Sequence, residues 1–321
     1  MQSHLVEYPR EQMSPKPAAL SKMHLQHTAP QPPCRKVRCR TVLFLALLPF
    51  ALAAVSFSQT VPTVSLDATA LVRRAVQHRL DSAKNHHPVR YLLRRIDERH
   101  DTTKAIVETT DGNVARLVAI NGKPLSADAD KVELQRLDYL AQHPELQDHR
   151  RKSEQKDADR VTHLLSLLPD AFLYHFEDMV PCPSGRCYRL SFAPNPHFIP
   201  PDLEANIFHG IAGEVWVDQS QERLTRLEAR FISDVDFGFG ILGKLNKGGT
   251  VLLEQADVGG GDWELTGMNI HVTGKALMVK SFNYQVAQEL NHFSPVAPGL
   301  KYREAIQLLK QVDPSQTPYT P

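Results

Sequence analysis

Between Arg223 and Phe237 the side chains sort onto two faces. Leu227, Ala229, Phe231, Val235 and Phe237 fall on one, and Arg226, Glu228, Arg230, Asp234 and Asp236 on the other. A period of two is the signature of a strand. One apolar and one charged face mean an antiparallel sheet that is packed on one side and wet on the other. A chain built on such a sheet must find cover for the apolar face, and this requirement organises the rest of the sequence.

The cover comes from two helical stretches. Leu66–Ala83 carries Val72, Ala75, Val76, Leu80 and Ala83 at helical spacing, with Asp67 as N-cap and Asn85-His86-His87-Pro88 as terminator. Ser126 opens the second, with Asp128 and Asp130 in its first turn, where the helix dipole favours acids. Leu134, Leu137, Leu140 and Ala141 form its stripe until Pro144 interrupts. A further helix is predicted over Glu145–Leu168, with Val161, Leu164, Leu165 and Leu168 on one side and Pro169 as its stop. Nine of the thirteen residues at 148–160 are charged, with mixed signs, which reads as a solvated helix face laced with i,i+4 pairs.

Strands fill the remainder. Tyr91–Arg99, Lys104–Thr110 and Val114–Ile120 form a meander, with Asp111-Gly112-Asn113 as a hairpin signal and Asn121-Gly122 closing it. Later runs are Phe172–Val180, Tyr188–Phe192, Gly213–Asp218, Arg223–Phe237, Thr250–Val258, Trp263–Thr273 and Ala276–Tyr284. A short helix is expected over Tyr302–Val312. Strand runs interrupted by one helical block, without βαβ alternation, predict an α+β fold with a large antiparallel sheet. Such a sheet curves as it twists.

The N-terminal region sets the compartment. Thr41–Ser58 is an uncharged apolar run behind the basic cluster Arg35-Lys36-Val37-Arg38-Cys39-Arg40, followed by small residues. It reads as a secretory signal peptide over residues 35–59, with an uncleaved anchor as the alternative. It is short for a membrane span and has Pro49 in its middle. Residues 1–34 are either a disordered extension or the product of a start placed too far upstream. The expected domain is a single α+β unit over 60–321, periplasmic or otherwise exported. Residues 1–59 hold 7 Lys/Arg against 2 Asp/Glu, leaving 30 against 34 in the rest. That mildly acidic balance offers nothing to nucleic acid.

Few motifs carry chemistry. Cys182 and Cys187 bracket Pro183-Ser184-Gly185-Arg186 between two strands, and in an oxidising compartment they are expected to pair. Gly238–Leu245 matches G-x-G-x-x-G and approaches the Walker pattern. Leu245 lacks the hydroxyl that magnesium needs, however, and no helix follows. It reads as a glycine-rich bend, and no nucleotide or other cofactor is expected. Asp234 and Asp236 share a strand face, and His271 stands among unrelated neighbours. None of these forms a metal-ligand or catalytic pattern.

The segment Gly213–Lys280, with GEVWVD, RLTRLEARFISDVDFGFGILGKLNKGGT and DWELTGMNIHVTGKALMVK, resembles a group of uncharacterised exported bacterial proteins. More loosely it is similar to the outer-membrane lipoprotein-sorting proteins of the LolA/LolB type. The resemblance implies a curved, unclosed antiparallel half-barrel whose helices cover the concave face, around a cavity for acyl chains. The helical block at 126–168 departs from that pattern. The function expected is a non-enzymatic periplasmic carrier of a lipid or lipoprotein acyl chain, lined by Leu227, Ala229, Phe231, Val235 and Phe237. A cell-envelope interaction module with a filled core, binding a protein partner, is the alternative. An extracytoplasmic hydrolase is the remote one.

Overall fold

Asp67 caps the first helix, α1 (Ala68–Lys84), its carboxylate accepting the Ala70 N–H at 2.9 Å. The computed structural model describes residues 66–238, 243–276 and 280–316, and these belong to one compact unit. The segments at 1–34 and 35–59, and the centre of the glycine-rich motif, lie outside the described residues.

A meander follows α1: β1 (Val89–Asp97), β2 (Asp101–Val107), β3 (Val114–Ile120) and the two-residue β4 (Lys123–Pro124). Ser126 caps α2 (Ala127–Gln142), accepting the Ala129 N–H at 3.3 Å. Pro144 sits in the first turn of α3 (Pro144–Ala171), where a missing N–H costs nothing. Pro169 does not stop α3, contrary to expectation. It lies in the last turn, and the helix ends at Phe172, which turns extended and packs against Phe192 at 4.7 Å.

Strands β5 (Phe172–Cys182) and β6 (Gly185–Pro194) form a hairpin. A 3-10 turn at Ala205–Gly210 leads into β7 (Ile211–Asp218) and β8 (Leu224–Phe231). The run expected as one strand to Phe237 is two. After Phe231 the Ile232 N–H bonds to Gly210, and β9 (Val235–Phe237) pairs with β10 (Gly243–Leu245). β10 also pairs with the far end of β12, so this part of the glycine-rich motif is a strand in an antiparallel ladder. β11 (Thr250–Asp257), β12 (Trp263–Ala276) and β13 (Lys280–Pro295) follow, then α4 (Tyr302–Lys310). β13 runs well past Tyr284, because β1 and β12 both hydrogen-bond to it through a stretch too polar to read as a strand alone.

The thirteen strands of the described residues all join one sheet. Its main path is β4-β3-β2-β1-β13-β12-β11-β8-β7-β6-β5, and the two end strands do not meet. The fold is therefore α+β with a large open antiparallel sheet. Directly opposed residues share a face, so the faces can be followed across the ladders. Ala229 pairs with Val251, Val251 with Ile270, Ile270 with Val286, and Val286 with Asp97. Leu92 is an odd number of residues from Asp97 in an unbroken register, so it lies on the opposite face.

Each face has its own core. On the Ala229 face, α1 and the end of α3 cover β5–β8, with Leu71, Val72, Leu168, Phe172, Leu190 and Val215 buried together. On the opposite face, α4 and α2 cover β1–β3, with Leu92, Val107, Val114, Leu137, Ile306 and Leu309. The sequence supplied lids for one face. The meander needs a second because β1–β3 carry apolar residues on both sides. The polar side of β6–β11 stays wet, with Arg189 bridging Asp178 and Glu214, and Arg226 bridging Glu228 and Glu254.

Candidate functional site

Where α4 covers one side of β1–β3, the other side of the same strands forms a groove of about 730 Å³. Its apolar lining is Tyr91 and Leu93 from β1, Ile106 from β2, and Ala115 and Leu117 from β3. Arg95 and Lys104 rise from the same strands, Glu133 and Arg136 come from α2, and Arg150 and Glu154 from α3. A 28-residue helix spans about 42 Å at 1.5 Å per residue. α3 uses that length to run from this groove to the packed core over β5.

The wall is built by sealing a sheet edge. β3 pairs with β4 only at Ala119 and Ile120, which leaves its outer backbone groups to the helices. Glu133 accepts the Leu117 N–H at 2.7 Å, and Arg136 donates to the Ala115 carbonyl at 2.6 Å. The Gln147 amide donates to the Asp111 carbonyl at 2.9 Å, and Glu154 accepts the Asn113 N–H at 2.9 Å. Covering an edge in this way prevents strand addition by another chain. It also fixes four polar side chains beside the groove.

Electrostatics in the groove are uneven. Arg136 is paired with Glu133 at 2.8 Å, and Arg95 with Asp97 at 3.6 Å. The groove walls, and then Arg136, hold Lys104 below the ordinary lysine value. Burial, then Arg136, lowers Arg150. Burial raises Glu154, partly offset by the Asn113 N–H it accepts. Burial also raises the Tyr91 phenol, reinforced by Glu108, Glu264 and Glu154. A second depression of about 420 Å³, between α2 and α3, shares Arg136 and Arg150 and is lined by Tyr139, Leu140 and Leu146.

Leu93, in the groove floor, also begins a row across the sheet that is apolar except at Gln288. Leu93 opposes Leu290, two residues from Gln288 on the same face. Gln288 opposes Met268, Met268 opposes Leu253, and Leu253 opposes Leu227. These leucines and Met268 are all half-buried.

Of the five residues singled out on 227–237, Leu227 ends this row, where it also packs against the α1 core. Ala229, Phe231 and Val235 are buried, and Phe237 is half-buried on β9. The remaining lining residues, on β1–β3, were not singled out in the sequence. The signal that could have found them is the apolar content of the meander on both parities, Leu92 with Leu93 and Ala105 with Ile106.

Cys182 and Cys187 form a disulfide across the β5–β6 turn, with their Cα atoms 5.9 Å apart. Asp218 lies beside it within 4.8 Å of both sulfurs. An oxidised pair offers a metal no thiolate, and one Asp218 oxygen is already engaged by the Ser220 and Gln221 N–H groups. Asp234 pairs with Lys244 at 2.7 Å and accepts the Lys247 N–H, while His271 bonds Asn283. At 148–160 the expected pairing is present, Asp148 bridging both Arg151 and Lys152, but Arg150 and Glu154 turn toward the groove. Among the described residues no helix is long and apolar enough to cross a membrane.

No protein-family model matches the chain. No curated protein matches it either. Among solved structures, a DUF1329 family protein from Desulfovibrio piger is similar over 75% of this chain and 99% of that one, with 10% identity and a TM-score of 0.27. An outer membrane lipoprotein-sorting protein domain from Vibrio parahaemolyticus is similar over 75% and 100%, with 8% identity and a TM-score of 0.28. MucB in complex with MucA(peri) is similar over 72% and 100%, with 11% identity and a TM-score of 0.21.

Proposed function

We propose that this protein is a non-enzymatic carrier that works outside the cytoplasm and holds a lipid or lipoprotein acyl chain. The observation that carries the reading is the half-buried row Leu93, Leu290, Met268, Leu253 and Leu227, leading from the 730 Å³ groove across the sheet. An acyl chain lying on it would be held by burial, at roughly 0.8 kcal/mol per methylene removed from water. Groove size agrees with sites for a single small ligand, about 300–1,000 Å³. Leu227 stands at the inner end of the path; Ala229, Phe231 and Val235 beyond it are buried, and Phe237 is half-buried on β9.

The test is native mass spectrometry of protein purified from a membrane-containing host, followed by titration with a fluorescent fatty acid. Adducts of acyl-chain mass, lost in Met268→Glu, are the expected result. A lipid-free protein that ignores the fluorescent fatty acid would overturn it. The alternative, a cell-envelope interaction module with a filled core, draws on the burial of Ala229, Phe231 and Val235. It gains if that titration is flat while the mature chain still captures an envelope protein through α3.

A further inference from the structure

The charge in the groove is not balanced. Asp97, Glu133 and Glu154 face Arg95, Lys104, Arg136 and Arg150. Arg95 and Arg136 have carboxylate partners of their own. Lys104 and Arg150 have none within ion-pair distance among the described residues. They come from different elements: Lys104 rises from β2 between Leu93 and Leu117, and Arg150 comes from α3. Lys104 is exposed and Arg150 half-buried, so both are open to a ligand that supplies the counter-charge.

We propose that Lys104 and Arg150 hold the carboxylate of a single long-chain carboxylic acid whose hydrocarbon lies on Tyr91, Leu93 and Leu117. This rests on the carrier reading and names its ligand class. One unmatched positive charge calls for a monoanion. The groove volume suits one chain rather than the two or three of a membrane lipid. The lowered pKa values of Lys104 and Arg150 agree, since the groove walls and the neighbouring Arg136 both disfavour their charged forms and an anion would relieve the repulsion. Charge-assisted hydrogen bonds from two cations to one carboxylate are among the stronger polar contacts available.

The test compares hexadecanoate with hexadecanol, the same chain without charge, in competition against a bound fluorescent probe. The expected result is about tenfold tighter binding of the acid at low salt, a preference of about 1.4 kcal/mol. That ratio should fall toward one in K104Q/R150Q. It should also fall in the unmodified protein at about 1 M salt, where the screening length is only about 3 Å, so a misfolded variant does not spare the proposal. Equal binding of acid and alcohol would overturn it while leaving the carrier reading intact. So would a preference that survives the double substitution, or tighter binding of lysophosphatidylglycerol than of the acid. If neither acid nor alcohol binds, the carrier reading falls with it.

Discussion

Arg116 on β3 and Asp130 in the first turn of α2 are joined at 2.6 Å, beneath the C-terminus of α4. The Arg116 side chain is 1% exposed, and its other terminal nitrogen donates to the carbonyls of Leu309 and Val312, both at 2.6 Å. A cation at a helix C-terminus satisfies carbonyls that have no intrahelical partner. One guanidinium thus ties strand, helix start and helix end together, and fixes the lid that leaves the opposite face of β1–β3 free to be a groove.

The two ends of that pair are unequal. Asp130 is 23% exposed and can turn to water, whereas Arg116 cannot. Asp130→Ala strands a buried cation and is expected to cost about 3–5 kcal/mol. Arg116→Met keeps the volume and leaves the Val312 carbonyl without this donor, while Leu309 still accepts the Val312 N–H, for about 1–3 kcal/mol. Urea unfolding of both variants checks the order, and a larger loss from Arg116→Met would contradict it.

His86 sits between two carboxylates, Glu108 at 2.5 Å and Glu264 at 3.2 Å. Hydrogen bonding to both raises its pKa from 6.5 to about 10. Because the folded value is the higher, the stabilisation is complete below the unfolded value and disappears as pH rises through the folded one. The melting-temperature gap between the native protein and His86→Gln should be widest below about pH 6.5 and close as pH rises through about 10. A gap that is constant with pH would show that the imidazolium contributes nothing.

The disulfide closes a short loop, with a sequence separation of 5. Chain entropy then assigns it only about 2 kcal/mol. Replacing Cys182 and Cys187 by serine should lower stability by about that amount and speed amide exchange mainly in the β5–β6 hairpin. Loss of protection across β1–β3 would mean that the bond supports the whole fold.

Glu133 is both a groove wall and the cap of an open strand edge. Glu133→Ala frees the Leu117 N–H and releases Arg136, at an expected cost of about 1–3 kcal/mol. The exposed edge should also raise self-association, measurable by sedimentation. A variant that remains as monomeric as the native protein would show that another contact protects the edge.

Much of the local structure is legible in the residues. The caps at Asp67 and Ser126, the bounds of β3 and the polar face of β8 follow from side-chain chemistry and period. The end of α3 and the split at Ile232–Asp234 are not legible, because each is decided by a partner distant in sequence. For α3 that partner is Phe192, and for the split it is Gly210. The groove residues were missed for a related reason. Leu93 and Ile106 look like ordinary strand residues until the opposite parity is seen to be covered by α4.

The sequence by itself determined a large antiparallel sheet with a charged face, a helical block to cover it and a disulfide across one turn. Those features depend on periods of two or 3.6 residues and on turns a few residues long. Only the tertiary structure decided that β13 lies between β1 and β12, that the two cores lie on opposite faces, and that Lys104 and Arg150 line one groove. Long-range pairing is selected by the joint burial of surfaces far apart in the chain, and no local period records which surfaces will meet.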